Sequence, residues 1–221
     1  MPSNSVLAVV RDLKSLKFNV MSTIRHSIGG WKLARLDSRH YRKLHFGCGN
    51  DIREGWLNLD VNKLADYWVD VRNPTNIADN SVEMIYSSHM VEHLEHHELV
   101  AHLKECHRML KKGGVLRLGV PDFASIIRNY GNNAFLEKHR NVVPGEMFGL
   151  PDELICYADL MNRAFYEFGQ HKTVLDEEKM TNLMVFSGFE KAGISKVEFN
   201  QEYDLLSRIN ATFYLQAVKT C

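Results

Sequence analysis

The residues with the most chemistry in this 221-residue chain stand at the ends of short apolar runs. In LHFGCGN, residues 44–50, a strand-like run is broken at once by Gly47 and Gly49. A Gly-x-Gly after a strand lets the backbone turn tightly and lets a ligand approach main-chain amides with no Cβ in the way. Asp60 closes the run WLNLD, residues 56–60, and Asp70 closes WVD, residues 68–70. Carboxylates at such strand ends are placed to accept a pair of ribose hydroxyls and to meet an adenine amino group. Taken singly, each acid also fits a strand-end cap or a turn former. Three such features at consecutive strand ends instead describe one ligand crevice.

Groups able to move a proton follow. His89 ends the run VEMIYSSH, residues 82–89, where an imidazole could take a proton from an acceptor hydroxyl. His93 stands four residues on, the same side of a helical turn if helix begins near Met90, and Glu92 or Glu95 could orient either ring. The competing reading makes His89 a partner of backbone groups and His93, His96 and His97 a solvated helix start. Asp122, directly after Pro121, is a third catalytic candidate, or the cap of the next helix. His107, further along, suits a structural role. HMVEH, residues 89–93, also fits the H-x-x-E-H zinc-peptidase pattern. That chemistry needs a third ligand and a long helix carrying the motif, whereas VEMIYSS runs into it as a strand, so no metal is expected.

The elements that must position these groups alternate between two periods. Strands are expected at 43–47, 56–60, 68–70, 82–89 and 115–120. The stretch ELVAHLKECHRMLKKGG places Leu99, Leu103, Cys106 and Leu110 on one helix face, with Lys111 and Lys112 at its negative end and Gly113-Gly114 as its stop. Strands apolar on both faces and separated by helices predict an α/β fold with a mostly parallel sheet covered on two sides. Gly131, Pro144, Gly145, Gly149 and Pro151 punctuate a looser stretch, so about 123–173 is expected to be an insertion or lid shaping acceptor specificity; it carries Tyr130, Arg140, Met147, Phe148, Tyr157, Tyr166, His171 and Lys172, whose aromatics could build an acceptor wall or bury a lid helix, the latter being the preferred reading for Tyr157 and Phe165. Helices are expected at 152–168 and 176–191, and closing strands at 194–200 and 211–219. Residues 1–42 form an expected helical arm ahead of the main domain, 43–221.

Composition narrows the function classes. Lys plus Arg equals Asp plus Glu at 27 each, so net charge gives no steering toward nucleic acid. Before Asp51, however, nine basic residues from Arg11 to Lys43 face only Asp12 and Asp37, and this basic arm is a candidate contact for an acidic surface. The four scattered cysteines form no disulfide or zinc-finger spacing. No signal peptide and no membrane-spanning run is expected, which points to a reducing, cytoplasmic setting.

LHFGCGN, GWLNLD, VDVRN, YSSHMVEHL, RMLKKGGVLRLGVPD and SGFEKAG together resemble class I S-adenosylmethionine-dependent methyltransferases, especially the type-11-like group. The resemblance spans about 43–200. It implies a Rossmann-like seven-stranded sheet with helices on both faces and the last strand antiparallel. It implies a cofactor set of Phe46, Gly47, Cys48, Gly49, Asn50, Asp60, Asp70, Val71, Ser88 and His89, in which Gly47 and Gly49 pass the methionyl part, Asp60 takes the ribose and Asp70 with Val71 lies at the adenine. DIREGW is too short for an ordinary crossover helix between the first two strands. The same shortness, with no third glycine, separates the chain from nicotinamide dehydrogenases. The expected function is methyl transfer to a small-molecule acceptor, at oxygen and with a sugar or glycan precursor as the suggested class. The alternative is a cofactor-binding scaffold that has lost transfer. A nucleic-acid substrate is disfavoured, since SSHM stands where an amino-methylating Asn/Asp-Pro-Pro-Tyr motif would follow the fourth strand.

Overall fold

A computed structural model describes residues 42–140 and 144–221, together with 16–17, 20–21, 23–24, 27–29 and 31–32. The described residues within 16–32 are helical, and the rest of the expected arm lies outside the described residues. One sheet organises the chain. Its strands are β1 (Lys43–Phe46), β2 (Leu57–Asp60), β3 (Tyr67–Trp68), β4 (Val82–Ser88), β5 (Leu110–Pro121), β6 (Ile194–Val197) and β7 (Thr212–Val218). They lie in the order β3-β2-β1-β4-β5-β7-β6. β7 runs antiparallel to both its neighbours, while the pairings from β3 across to β5 are parallel. This is the Rossmann-like arrangement expected, flanked by helices, and its strand order reverses between β1 and β4. A parallel sheet opens its ligand crevice at the carboxyl ends of the strands beside such a reversal.

Strand register sorts the side chains by face. Leu44, Ile85 and Leu116 stand side by side, as do Phe46, Ser87 and Leu118. Against them pack α1 (His96–Met109) and α5 (Glu177–Phe186) in one continuous core. The stripe foreseen for α1 is real, with Leu99, Leu103 and Cys106 wholly buried. Burying Leu99 and Leu103 is worth roughly 1.5–3 kcal/mol each, more than the capping box of Glu95 and Glu98 at about 1 kcal/mol, so packing dominates the helix.

The opposite face carries His45, Tyr86 and Arg117 in one row. Here the short β1–β2 connection does the covering. Arg53 lies over the Tyr86 ring at 4.1 Å, and Trp56 meets both Tyr86 and Tyr203 edge-on at 6.3 Å. Buried Asn58 holds that connection shut: its carbonyl accepts the Arg53 amide at 3.0 Å, and its amide donates to the Arg53 carbonyl at 3.0 Å. No helix forms between β1 and β2, as the shortness of DIREGW required.

Two expected boundaries need correction. α1 stops at Met109, so Lys111 and Lys112 are not its last turn; Leu110 turns extended and pairs with Val82. Ladder bonds replace the final helical ones, with the Gly113 amide donating to the Lys219 carbonyl at 2.7 Å. The cation at the helix end is instead Lys219, whose ammonium donates to the carbonyls of His107 and Leu110 at 2.8 and 2.9 Å. The stretch expected as one helix over 152–168 is broken into a short turn at Asp152–Leu154, α4 (Tyr157–Phe165) and a turn at Glu167–Gly169. Between β5 and α4 lie α2 (Phe123–Arg128) and α3 (Asn133–Lys138). Ile126, Leu136, Ile155, Tyr157 and Leu160 form a satellite core of their own.

Arg117, 3% exposed in the middle of β5, donates from Nε to the buried Asp204 carboxylate at 3.1 Å and from Nη2 to its second oxygen and to the Glu198 carbonyl. Asp204→Ala strands a guanidinium in the interior, and urea unfolding is expected to show a loss of about 3–5 kcal/mol. A loss below about 1 kcal/mol would contradict this assignment of the pair.

Candidate active site

Two left-handed corners shape the crevice at adjacent strand ends. After β1, Gly47 has φ +64° and Gly49 φ +53°; after β4, His89 has φ +52°. Only glycine takes such angles freely, so a histidine held there stores strain. A Cβ on Gly47 would stand 2.5 Å from Met90 Cγ, whereas one on Gly49 would project into open space. The Gly49 amide donates to Asp60 Oδ2 and the Asn62 amide to Asp60 Oδ1, both at 2.8 Å. Those two bonds fix the carboxylate and leave further acceptor capacity on each oxygen.

Gly47, Asp60, Asp70, Val71, Met90 and His93 line one cavity of about 370 Å³. The two aspartates therefore share a side of the sheet. Asp70 is less open than its position suggested, because Arg72 forks onto it with Nε at 2.9 Å and Nη2 at 2.6 Å. The remaining expected cofactor residues divide. Cys48, Asn50 and Ser88 line a neighbouring cavity of about 360 Å³ together with Gly47, Gly49 and Arg208. Burial pushes the Cys48 thiol up, away from the reactive thiolate. The Phe46 side chain does not face the crevice: it is wholly buried and meets His102 edge-on at 5.2 Å, so it anchors the turn from below.

A third cavity, of about 330 Å³, adjoins these and is lined by His89, Glu92, His93, Arg163, His171 and Arg208 among others. His93 borders both this cavity and the one holding the aspartates. The hydrogen bonds of His89 fix its tautomer. Thr212 Oγ1 donates its single proton to the Arg208 carbonyl at 2.7 Å, so it can only accept from His89 Nε2, 2.7 Å away. The lone pair is left on Nδ1, 3.6 Å from Glu92 Oε1. Burial, reinforced by the Arg208 charge, drives the His89 pKa well below its ordinary value, which keeps the ring neutral. Glu92 is fully buried with neither oxygen hydrogen-bonded among the described residues, and burial pushes its pKa up to about 7.

The insertion reaches the crevice through its last residues. The Glu92 carbonyl accepts the Lys172 and Thr173 amides at 2.8 and 3.2 Å, and Thr173 Oγ1 donates to the Leu94 carbonyl at 2.7 Å. This seam brings His171 beside His93, ring centroids 4.9 Å apart. Of the two roles open to the aromatics, Tyr157 takes the packing one, donating its hydroxyl to the Ile126 carbonyl within the satellite core, and Tyr130 meets its ring edge-on at 5.0 Å; neither lines this cavity. The lining instead combines four imidazoles with Arg163 and Arg208, Glu92 and Glu167, and apolar residues such as Ile126 and Leu160. Asp122, expected as catalytic, does not join the histidines. Its carboxylate accepts the Ser125 amide at 2.8 Å as the cap of α2 and faces a separate cavity with Arg128 and Lys196. Arg163, Glu167, Arg208 and Thr212 were not foreseen; they lie on α4, the turn after it and the residues leading into β7, with no motif to mark them.

Residues 47–118 match the family described as "Methyltransferase domain". The matched stretch carries the glycine turn, Asp60, Asp70 and His89, on a sheet of the Rossmann-like order given above. Similar solved structures include a SAM-dependent methyltransferase from Archaeoglobus fulgidus, with 16% identity, coverage of 95% of this chain and 99% of that one, and a TM-score of 0.49. A second, from Thermotoga maritima, has 16% identity, coverage of 93% and 94%, and a TM-score of 0.47. A third, from Mesorhizobium loti, has 15% identity, coverage of 86% and 96%, and a TM-score of 0.43. No curated protein sequence matches the chain. No helix of the described residues is long and apolar enough to cross a membrane.

The tautomer of His89 is directly measurable by long-range ¹⁵N–¹H correlation near neutral pH. The expected spectrum shows a neutral ring protonated on Nε2, and Thr212→Val, which removes the acceptor, shifts population toward the Nδ1–H form. A proton found on Nδ1 in the unaltered protein would contradict the assignment.

Proposed function

We propose that this protein is a methyltransferase that binds S-adenosylmethionine in the crevice of Gly47, Gly49, Asp60 and Asp70 and methylates an oxygen of a small hydroxylated molecule. The observation carrying this reading is the juxtaposition of two cavities across His93: one edged by the glycine turn and both aspartates, the other holding the Nδ1 lone pair of His89. The residues fit the cofactor. Open space at Gly49 admits a ligand against the main chain, and Asp60 keeps acceptor capacity for two ribose hydroxyls.

When bound, the cofactor supplies a methyl group on a sulfonium, whose transfer leaves a neutral thioether. Everything else falls to the chain. Asp60 would hold the ribose, and Asp70 with Val71 would hold the adenine. His89 takes the acceptor's proton at Nδ1 while Thr212 and the Arg208 carbonyl hold the ring in place. The seam of residues 171–173 ties the far side of the cavity to the Glu92 carbonyl and so positions His171 within it. Arg163 and Arg208 line the same space together with Glu92 and Glu167, a set of donors and acceptors that suits a hydroxylated acceptor, a saccharide or its precursor among them. In this reading residues 123–173 act as the specificity insertion, and the basic residues before Asp51 contact an acidic partner.

Calorimetric titration with S-adenosylmethionine tests the reading first. Asp60→Ala is expected to weaken binding about 10–100-fold, the value of a hydrogen bond to a charged group at roughly 1.5–3 kcal/mol. Release of S-adenosylhomocysteine across a panel of hydroxylated acceptors tests the second part. His89→Ala is expected to lower turnover about 10²–10⁴-fold with cofactor affinity retained. Tight cofactor binding without turnover on any acceptor would favour the scaffold alternative, and no binding at millimolar concentration would overturn both.

A further inference from the structure

Beneath the methyl-transfer crevice lies a donor set that the sequence motif alone could not complete. The pattern H-x-x-E-H lacked a third ligand and a long helix, and residues Val91–His93 form only one turn of 3-10 helix, so a zinc-peptidase arrangement is excluded. The fold nevertheless supplies the missing imidazole from 78 residues downstream. One ligand atom each from Glu92, His93 and His171 lie within 4.8 Å of one another. We propose that Glu92, His93 and His171 hold a divalent first-row transition-metal ion at the boundary between the two cavities.

Three independent features support the site. The first is Glu92, a wholly buried carboxylate with both oxygens lacking hydrogen bonds among the described residues. A buried carboxylate without a partner costs several kcal/mol as an anion, and a cation at this point supplies the partner. The second is the orientation of the two rings. His171 Nδ1 faces the Ala164 carbonyl at 2.5 Å and His93 Nδ1 faces the Gln170 carbonyl at 3.2 Å. A carbonyl only accepts, so each Nδ1 carries the proton donated to it and each Nε2 is presented inward; His171 Nε2 here donates a second proton to Glu167, and a metal ion takes the place of that proton. Metal-binding histidines are held in just this manner, one ring nitrogen on a backbone carbonyl and the other on the ion. The third is the seam that brings the ligands together: Lys172 and Thr173 hydrogen-bond to the carbonyl of Glu92 itself, so two of the ligand segments are tied at the backbone.

Two imidazoles and a carboxylate match the preferences of zinc, cobalt, iron and manganese, and leave positions open toward the cavity. Glu167 occupies part of that space, with Oε2 at 2.5 Å from His171 Nε2 and 3.9 Å from His93 Nε2. It is the displaceable group, released to Arg163, with which it already pairs, or retained as a fourth ligand. If the methyltransferase reading holds, an ion here lowers the proton affinity of an acceptor oxygen bound to it, and His89 Nδ1, 3.6 Å from Glu92, receives the proton.

Cobalt(II) alone is the probe, added to tag-free, chelator-treated protein, with bound metal measured after equilibrium dialysis and the visible spectrum recorded. The expected result is one bound equivalent with absorption bands of a low-coordinate site, displaced by zinc. His171→Ala and Glu92→Gln abolish it, and His96→Ala, on the exposed start of α1, leaves it unchanged. Circular dichroism and S-adenosylmethionine titration of each variant separate loss of ligand from loss of fold, and His171→Gln serves if the alanine variant unfolds. Absence of bound cobalt in the unaltered protein, or binding that survives both ligand substitutions, overturns the proposal and leaves Glu92 a neutral buried acid. Because metal and cofactor are titrated separately, cobalt uptake without cofactor binding would sink the methyltransferase reading and spare the metal site.

Discussion

Two backbone corners govern this molecule. The parallel strands β1 and β4 are neighbours, and each is left through a left-handed residue, Gly47 on one and His89 on the other. Because strand order reverses here, the chain departs in opposite directions and a crevice must open between the departures. Gly47 satisfies its corner with no side chain. His89 meets the same demand at a cost of about 1–3 kcal/mol in strain, and gains a ring fixed by Thr212 across the sheet edge.

The rest of the architecture holds those corners. Apolar side chains pack one sheet face against α1 and α5, while the other carries an aromatic and charged layer over which a ten-residue connection, not a helix, is folded. Asn58 and the Arg117–Asp204 pair make that second face a network rather than an oily layer. Such networks lose more from one missing member than apolar packing does, because the surviving partner stays buried.

Much of this was legible in the sequence, and the limits were physical. Strand ends at Asp60 and Ser88 and the buried stripe of α1 follow from period and local composition. The helix stop at Lys111–Lys112 misled because ladder pairing with Lys219, over a hundred residues away, outcompetes another helical turn. Asp122 had two local readings, and the nearest free amide, that of Ser125, decided for the cap. Arg163, Arg208 and Thr212 carry no motif; the two arginines reach the cavity, and Thr212 reaches His89, only because β7 inserts beside β5 and residues 171–173 fold back on residues 92–94. The same long-range step converts an incomplete H-x-x-E-H pattern into three converging donors.

The central claim is that the glycine turn and the two aspartates grip one nucleoside cofactor. Hydrogen–deuterium exchange with and without S-adenosylhomocysteine tests it residue by residue. The account predicts slowed exchange confined to the amides around Gly47–Gly49, Val61–Asn62 and Val71–Arg72, the segments that border the crevice. Protection located elsewhere on the sheet, or no change at saturating ligand, would contradict it.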